Sequence, residues 1–139
     1  MSDPYDLQRF IEAQDPVFDR VCAELRQGLK ASHWMWFVFP QLAGLGRSPM
    51  AERYAISSLP EARAYLAHPV LGPRLRRCAA LVNAVQGRSI RDILGAPDDL
   101  KFRSCMTLFA HAAEDGVVFR AALDRSFAGE EDPATLARL

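Results

Sequence analysis

Apolar residues recur at three- and four-residue spacing along most of this sequence, and that period constrains its fold more than any other feature. Asp15-Pro16 supplies an N-cap and a first-turn proline for one such segment. Its apolar positions are Val17, Phe18, Val21, Cys22, Leu25 and Leu29. No convincing pair of segments alternates apolar and polar residues as half-buried strands do. The sequence therefore predicts an all-α fold.

Glycine, proline and capping residues divide the chain into about seven predicted helices. Ser58 and Glu61 have the spacing of a capping box, and the longest predicted helix runs over residues 70–86. Other helices or terminal turns begin near Tyr5, Ser89, Asp98, Val117 and Asp132. No repeat or linker interrupts this pattern, and 139 residues are the usual size of one domain. We therefore predict a single domain over residues 1–139.

Charge and cysteine content argue against several functional classes. Seventeen Lys and Arg side chains balance seventeen Asp and Glu side chains, whereas proteins that bind nucleic acid or anionic membranes usually carry excess basic charge. The longest apolar run is far shorter than the roughly twenty residues of a membrane span, and no signal-peptide pattern begins the chain. Three widely separated cysteines indicate a reducing compartment. We predict a soluble cytoplasmic protein that binds neither nucleic acid nor membrane.

One segment, near residues 32–48, does not follow the helical period. Residues 34–39 read WMWFVF, so every position of this aromatic run is apolar. We expect the segment to be irregular, and either buried on nearly all sides or open as the wall of a pocket. Because a buried indole N–H needs a polar partner, we predict that Trp34 and Trp36 are not both buried among apolar neighbours alone. The nearest partners in sequence are Ser32, His33 and Gln41.

Polar and flexible residues flank the aromatic run, and a small-molecule site needs such groups to orient its ligand. The Gly-x-Gly-x-Ser loop after it can present backbone N–H groups to an anion, but its spacing is not a Walker or dinucleotide fingerprint. A later predicted helix carries Lys101 and Ser104 on one face. The candidate ligand-binding residues are Ser32, His33, Trp34, Trp36, Gln41, Gly44, Gly46, Ser48, Lys101 and Ser104. We expect His33 and Gln41 to converge with Lys101 and Ser104.

Each of these features also has a plain structural explanation. The aromatic run can be ordinary core, and Lys101 can be a surface residue near a capped helix start. None of the three histidines has metal-site spacing from another histidine or a cysteine, and we predict neither a metal site nor a cofactor. Cys78 and Cys105 lie on apolar helix faces, where burial makes thiols unreactive. Ser32, His33 and Asp98 offer a Ser-His-acid set without a nucleophile elbow, so the sequence specifies no catalytic residue.

Longer stretches of the sequence resemble the bacterial domain-of-unknown-function 1810 family. The most specific stretch spans residues 28–48 and reads G-x-K-x-S-H-W-M-W-F-x-F-P-Q-x-x-G-L-G-x-S. Matching pieces occur at residues 9–14, 61–72, 97–109 and 132–136, so the resemblance covers residues 7–139. It implies an all-α fold of its own type and no established function. Some members carry the label calpastatin, which the globular composition does not support, because calpastatin-type inhibitors are disordered.

Three functional classes remain open on these residues. An aromatic wall formed by residues 32–41, a glycine loop and a Lys/Ser/His lining suit a flat base and an anion. The first class is therefore a small-ligand binder, which includes an enzyme acting on a nucleotide or an ADP-ribose-like anion. The second is a protein-interaction module with an exposed aromatic patch, and the third is a purely structural helical domain. Tryptophan burial discriminates between them: a concave pocket favours the first, a flat patch the second and full burial the third.

Overall fold

Ten α-helices form the regular structure of residues 3–139, the part of the chain that the computed structural model describes. They are α1 (Gln8–Gln14), α2 (Phe18–Gln27), α3 (Met35–Val38), α4 (Pro49–Arg53), α5 (Leu59–Ala67), α6 (Leu71–Ala84), α7 (Ile90–Leu94), α8 (Asp98–Ala112), α9 (Val117–Phe127) and α10 (Pro133–Leu136). Over this part of the chain, the only β-type pairing is an isolated parallel bridge between Leu42 and Ile56. The predicted all-α class is confirmed.

The number and lengths of the helices differ from the prediction. About seven were expected, but α3, α4, α7 and α10 have only four or five residues each, too few to show a clear apolar period. The aromatic run is accordingly not wholly irregular, because α3 forms one helical turn within it. The longest helix is α8, since α6 ends where Val85 adopts an extended backbone. In residues 3–139, none of the helices has the length and apolar character to cross a membrane.

Helix α8 lies at the centre of the core. It packs against α5, α7, α9 and α10, and nine of its fifteen residues are buried. The ring of Phe102 meets the ring of Phe39 edge-on, with centroids 4.9 Å apart. Phe109 packs between Tyr65 and Phe119, at centroid distances of 5.3 and 6.0 Å. Because Phe102 anchors the aromatic run to α8, the first turn of α8 lies beside that run.

A loop over residues 42–56 has its two ends joined by backbone hydrogen bonds. The N–H of Ala43 donates to the carbonyl of Ile56 at 2.8 Å, and the N–H of Ile56 donates to the carbonyl of Gln41 at 2.9 Å. Within the loop, Ser48 caps α4 by accepting a hydrogen bond from the N–H of Ala51. A loop closed in this way keeps its shape although most of its residues lie at the surface.

Arg9 of α1 fixes the end of the 42–56 loop. Its guanidinium donates to the carbonyls of Arg53 and Ala55 at 3.0 and 2.9 Å, and it pairs with the carboxylate of Glu61 at 3.1 Å. The same carboxylate accepts hydrogen bonds from the N–H and the hydroxyl of Ser57. These charge-assisted hydrogen bonds hold the loop against α1 and α5.

Candidate functional site

A cavity of about 160 Å³ lies between the aromatic run, the 42–56 loop and the first turn of α8. Its polar lining residues are Gln41, Glu52 and Lys101. The other lining residues are Met35, Trp36, Phe39, Leu42, Ala43, Gly44, Gly46, Ala51 and Ala55. A mostly apolar lining with a few polar groups is typical of small-molecule sites.

Half of the ten predicted ligand-binding residues line this cavity. They are Trp36, Gln41, Gly44, Gly46 and Lys101. The expected convergence of the aromatic segment with the later helix therefore occurs through Gln41 and Lys101. His33 and Ser104, which were expected to join them, are not among the lining residues.

Trp34 lies in the core rather than in the cavity. Its side chain is almost fully buried, at 1% exposure, and its indole Nε1–H donates to the carboxylate of Glu24 at 2.9 Å. Trp36 is half-buried. The prediction that the two tryptophans are not both buried among apolar neighbours alone is confirmed, although the partner of Trp34 is Glu24 rather than any of the three predicted residues.

Glu24 is a buried carboxylate that accepts four hydrogen bonds. Besides the indole of Trp34, its donors are the hydroxyl of Ser32 at 2.6 Å and the N–H groups of Ala31 and Ser32 at 2.7 and 3.1 Å. Burial by itself raises the pKa of Glu24, but these hydrogen bonds outweigh it and hold the pKa below its ordinary value. Glu24 therefore stays ionised and fixes the turn that leads into the aromatic run.

Five predicted site residues have other positions. Ser32 and Trp34 belong to the Glu24 network, and His33 is exposed in the turn before α3. The hydroxyl of Ser48 caps α4. Ser104 donates to the carboxylate of Asp132 at 2.8 Å, so its side chain faces the C-terminal segment rather than the cavity. None of the five lines the cavity.

Asp132 joins α10 to α8. Its carboxylate accepts hydrogen bonds from the hydroxyls of Ser104 and Thr135 at 2.8 and 2.6 Å, and its N–H donates to the hydroxyl of Thr107 at 2.9 Å. Burial raises the pKa of Asp132, but the hydrogen bonds from Thr135 and Ser104 more than compensate and leave it lowered. The C-terminal residues are thereby held against α8.

Two lysines share Asp98 near the cavity, and they are the only lysines in the sequence. The Nζ of Lys30 lies 3.1 Å from Oδ2 of Asp98, whereas the Nζ of Lys101 lies 3.8 Å from Oδ1. Lys30 also lies over the ring of Trp34, 5.2 Å from its centroid. Lys30 forms the closer pair, and the three groups together leave one net positive charge beside the cavity that Lys101 lines.

Two glycines let neighbouring groups approach the 42–56 loop closely. A Cβ on Gly46 would lie 2.6 Å from the Cβ of Ala51 in α4. Gly44 has a φ of +93°, and a Cβ there would overlap the guanidinium of Arg138. Neither Arg138 nor Glu52 could be predicted as a site residue, because no helical spacing or motif connects either residue with the aromatic run.

None of the three cysteines lines the cavity. Cys22, Cys78 and Cys105 are buried free thiols, and burial raises the pKa of both Cys78 and Cys105 above the ordinary value. The prediction that Cys78 and Cys105 lie on apolar, buried helix faces is confirmed. Over residues 3–139, no three His, Cys, Asp or Glu side chains group as they would around a metal ion.

Comparisons with known proteins match this chain over nearly its whole length. The model of a family described as protein of unknown function (DUF1810) matches residues 4–139. No curated protein is significantly similar to the chain. A solved structure titled conserved hypothetical protein Rv1873 from Mycobacterium tuberculosis is 60% identical, with 99% of this chain and 98% of that chain covered and a TM-score of 0.97. The two chains share one fold.

Proposed function

The chain belongs to the DUF1810 family, whose description names no activity, and we propose that it binds a small ligand in the cavity beside Trp36. The observation that carries the proposal is the meeting of an aromatic face, an amide and an ammonium group at one concave site, from Trp36, Gln41 and Lys101. The other three aromatic residues of the run are buried. Trp36 is therefore the ring of that run left accessible to a ligand.

The volume of the cavity limits what it can enclose. About 160 Å³ is close to the roughly 150 Å³ of an engineered cavity that holds benzene, and it is below the roughly 300–1,000 Å³ of most ligand pockets. The cavity therefore accommodates one planar ring, and the remainder of a larger ligand lies at the rim. A nucleotide or an ADP-ribose-like anion fits this arrangement with its base inside and its anionic part outside.

Each polar group of the cavity has a specific role in this proposal. Trp36 offers a π-face for stacking, and Gln41 offers both a donor and an acceptor for the edge of a ring. Lys101 attracts the anionic part, since the closer partner of Asp98 is Lys30. A single cation in a concave site attracts an anion without the protein being basic overall. No residue of the cavity is assigned a catalytic role.

The two other functional classes have less support. An interaction module needs an exposed aromatic patch, but Trp34, Phe37 and Phe39 are buried and only Trp36 of the run is accessible. A purely structural role does not explain why an accessible indole lies in a cavity whose lining includes the polar residue Lys101. The accessible indole and the polar lining therefore favour the binding function.

Tryptophan fluorescence tests the proposal, because the sequence contains only two tryptophans and only Trp36 lines the cavity. In a Trp34→Phe variant, the emission reports Trp36 alone. The probes are adenine, nicotinamide and uracil, each also as its nucleoside and its nucleoside 5′-monophosphate. We expect saturable quenching by at least one series and a matching thermal shift. A ligand at 100 times its Kd adds about 2.7 kcal/mol to the free energy of unfolding, which is several degrees for a domain of this size.

Matched variants separate binding at the cavity from effects on folding. Trp36→Leu and Lys101→Gln should abolish or weaken the thermal shift while the unliganded protein stays folded. Arg91→Gln is the control, because Arg91 is an exposed cation on α7 outside the cavity. A full panel without any saturable response, or equal loss of binding in Arg91→Gln and Lys101→Gln, would contradict the proposal.

A further inference from the structure

We infer that the ligand of this cavity carries a phosphate-like group, which Arg138 binds together with Lys101 at the rim formed by Gly44. The inference rests on the proposed function and narrows it, because it selects phosphorylated ligands over their neutral counterparts. Nothing in the sequence motifs pointed to Arg138, and its position follows from the fold alone.

The guanidinium of Arg138 lies directly against Gly44, which lines the cavity. The contact is close enough that a Cβ on Gly44 would overlap Nη1 and the central carbon of the guanidinium. Arg138 is exposed, and it takes part in none of the ion pairs formed within residues 3–139. By contrast, Arg9 and Arg74 each pair with a carboxylate. Arg138 therefore brings a positive charge without a carboxylate partner to Gly44, a residue of the cavity lining.

The backbone of Arg138 is fixed by the fold. Helix α10 ends two residues earlier, and the N–H of Arg138 donates to the carbonyl of Thr135 at 3.0 Å. Thr135 is buried and bonded to Asp132, which is itself joined to Ser104 of α8. Because α8 also carries Lys101, this connection fixes the backbone of both residues in the same part of the fold.

The charges around the rim favour a phosphate over a neutral group. Lys101 and Arg138 are cations, Glu52 is the acidic residue of the lining, and Asp98 is matched by Lys30 at 3.1 Å. The formal charges of these five side chains sum to +1. A phosphate monoester carries about −1.5 to −2 charges at neutral pH and three acceptor oxygens, which suit the fork of a guanidinium beside the point charge of an ammonium group.

The size of the cavity is consistent with a ligand whose ring lies inside and whose phosphate lies outside. A cavity of about 160 Å³ holds one ring, so the phosphate of a nucleoside monophosphate must remain outside it. Lys101 lines the cavity, and Arg138 lies against Gly44, another of its lining residues, so these are the two cations assigned to the phosphate. The inferred ligand therefore has a planar ring for Trp36 and a phosphate for the two cations.

The test compares each nucleoside with its 5′-monophosphate, by the thermal shift of the unaltered protein and by the fluorescence of the Trp34→Phe protein. We expect the monophosphate to bind at least about tenfold more tightly than the nucleoside, with the difference shrinking as salt increases. Arg138→Gln should bring the two affinities to within about threefold while leaving nucleoside affinity unchanged. Arg138→Lys should recover part of the preference, and Glu52→Gln should increase it by removing a like charge. Arg91→Gln should change nothing.

The outcomes separate this inference from the function on which it rests. Equal affinities for nucleoside and monophosphate, or an undiminished preference in Arg138→Gln, would overturn the inference and leave ring binding intact. Loss of nucleoside binding in Arg138→Gln would also overturn it, because Arg138 would then act on the ring or on folding. No binding by either member of any series would overturn both proposals.

Discussion

The indole Nε1–H of Trp34 donates to Oε1 of Glu24 at 2.9 Å, and this buried hydrogen bond ties the aromatic run to the last turns of α2. The carboxylate also orders the intervening turn through Ser32 and Ala31. Trp34 is thereby held in the core, while Trp36 comes to the cavity two positions later. One carboxylate on α2 thus holds Trp34 in the core, whereas Trp36 lines the cavity.

Replacing Glu24 by glutamine should destabilise the protein by about 2 kcal/mol. The amide can still accept the three N–H bonds through its oxygen, but its NH₂ group must donate to the hydroxyl of Ser32. The loss of the negative charge weakens the remaining bonds, since hydrogen bonds to a charged group are stronger than neutral ones. Urea denaturation of the variant and of Glu12→Gln provides the measurement. Glu12 is an exposed carboxylate on α1, and its substitution should change stability by less than about 0.5 kcal/mol. Equal midpoints for the two variants would contradict the prediction.

Acid should destabilise the protein through Glu24 and Asp132. Both carboxyl groups have a lowered pKa in the folded state, from ordinary values of 4.5 and 3.8. A lowered folded-state pKa stabilises the protein above the unfolded-state pKa, and this stabilisation is lost as pH falls through the folded-state value. The urea midpoint should therefore be nearly constant from pH 7 to about pH 5 and should fall below that. Asp132→Asn should make the fall shallower, and an equally steep fall in that variant would refute the assignment.

Local capping signals predicted helix starts well where the cap and its partner lie within one turn. Ser58, Ser89 and Asp132 each accept a backbone N–H three residues later, as the sequence indicates. The start of α2 was predicted wrongly. Asp15 does not cap that helix, which begins at Phe18, because its carboxylate instead pairs with Arg74 of α6 at 2.8 Å. A partner on another helix here outweighed the local signal.

The candidate site was only partly predictable for the same reason. Gln41 and Lys101 could be proposed together because each is a polar residue beside an apolar stretch, and the cavity does contain both. Arg138 could not be found in this way, since its contact with Gly44 depends on how α10 docks on α8 through Asp132. Spacing along a helix specifies which side chains share a face, but it does not specify which face meets which neighbour.

The three cysteines should be unreactive in the native protein. Cys22, Cys78 and Cys105 are each at most 3% exposed, and the raised pKa of Cys78 and Cys105 keeps these thiols protonated at neutral pH. A thiol-specific disulfide reagent should therefore label none of them quickly in buffer and all three in denaturant. One rapidly labelled equivalent in buffer would show that at least one of these thiols is accessible.

Replacing Arg9 by lysine should loosen the 42–56 loop more than the rest of the fold. The guanidinium reaches the carbonyls of Arg53 and Ala55 and the carboxylate of Glu61 at once, whereas the single ammonium of lysine lacks that fork and leaves partners unsatisfied. We expect a loss of about 1–3 kcal/mol in the free energy of unfolding. We also expect faster hydrogen exchange at the amide of Ile56, whose bond to the carbonyl of Gln41 closes the loop. Arg20→Lys, on an exposed part of α2, is the matched control and should leave both measurements unchanged. If Ile56 exchanges at the same rate in the two variants, the loop is held by its own backbone bonds and not by Arg9.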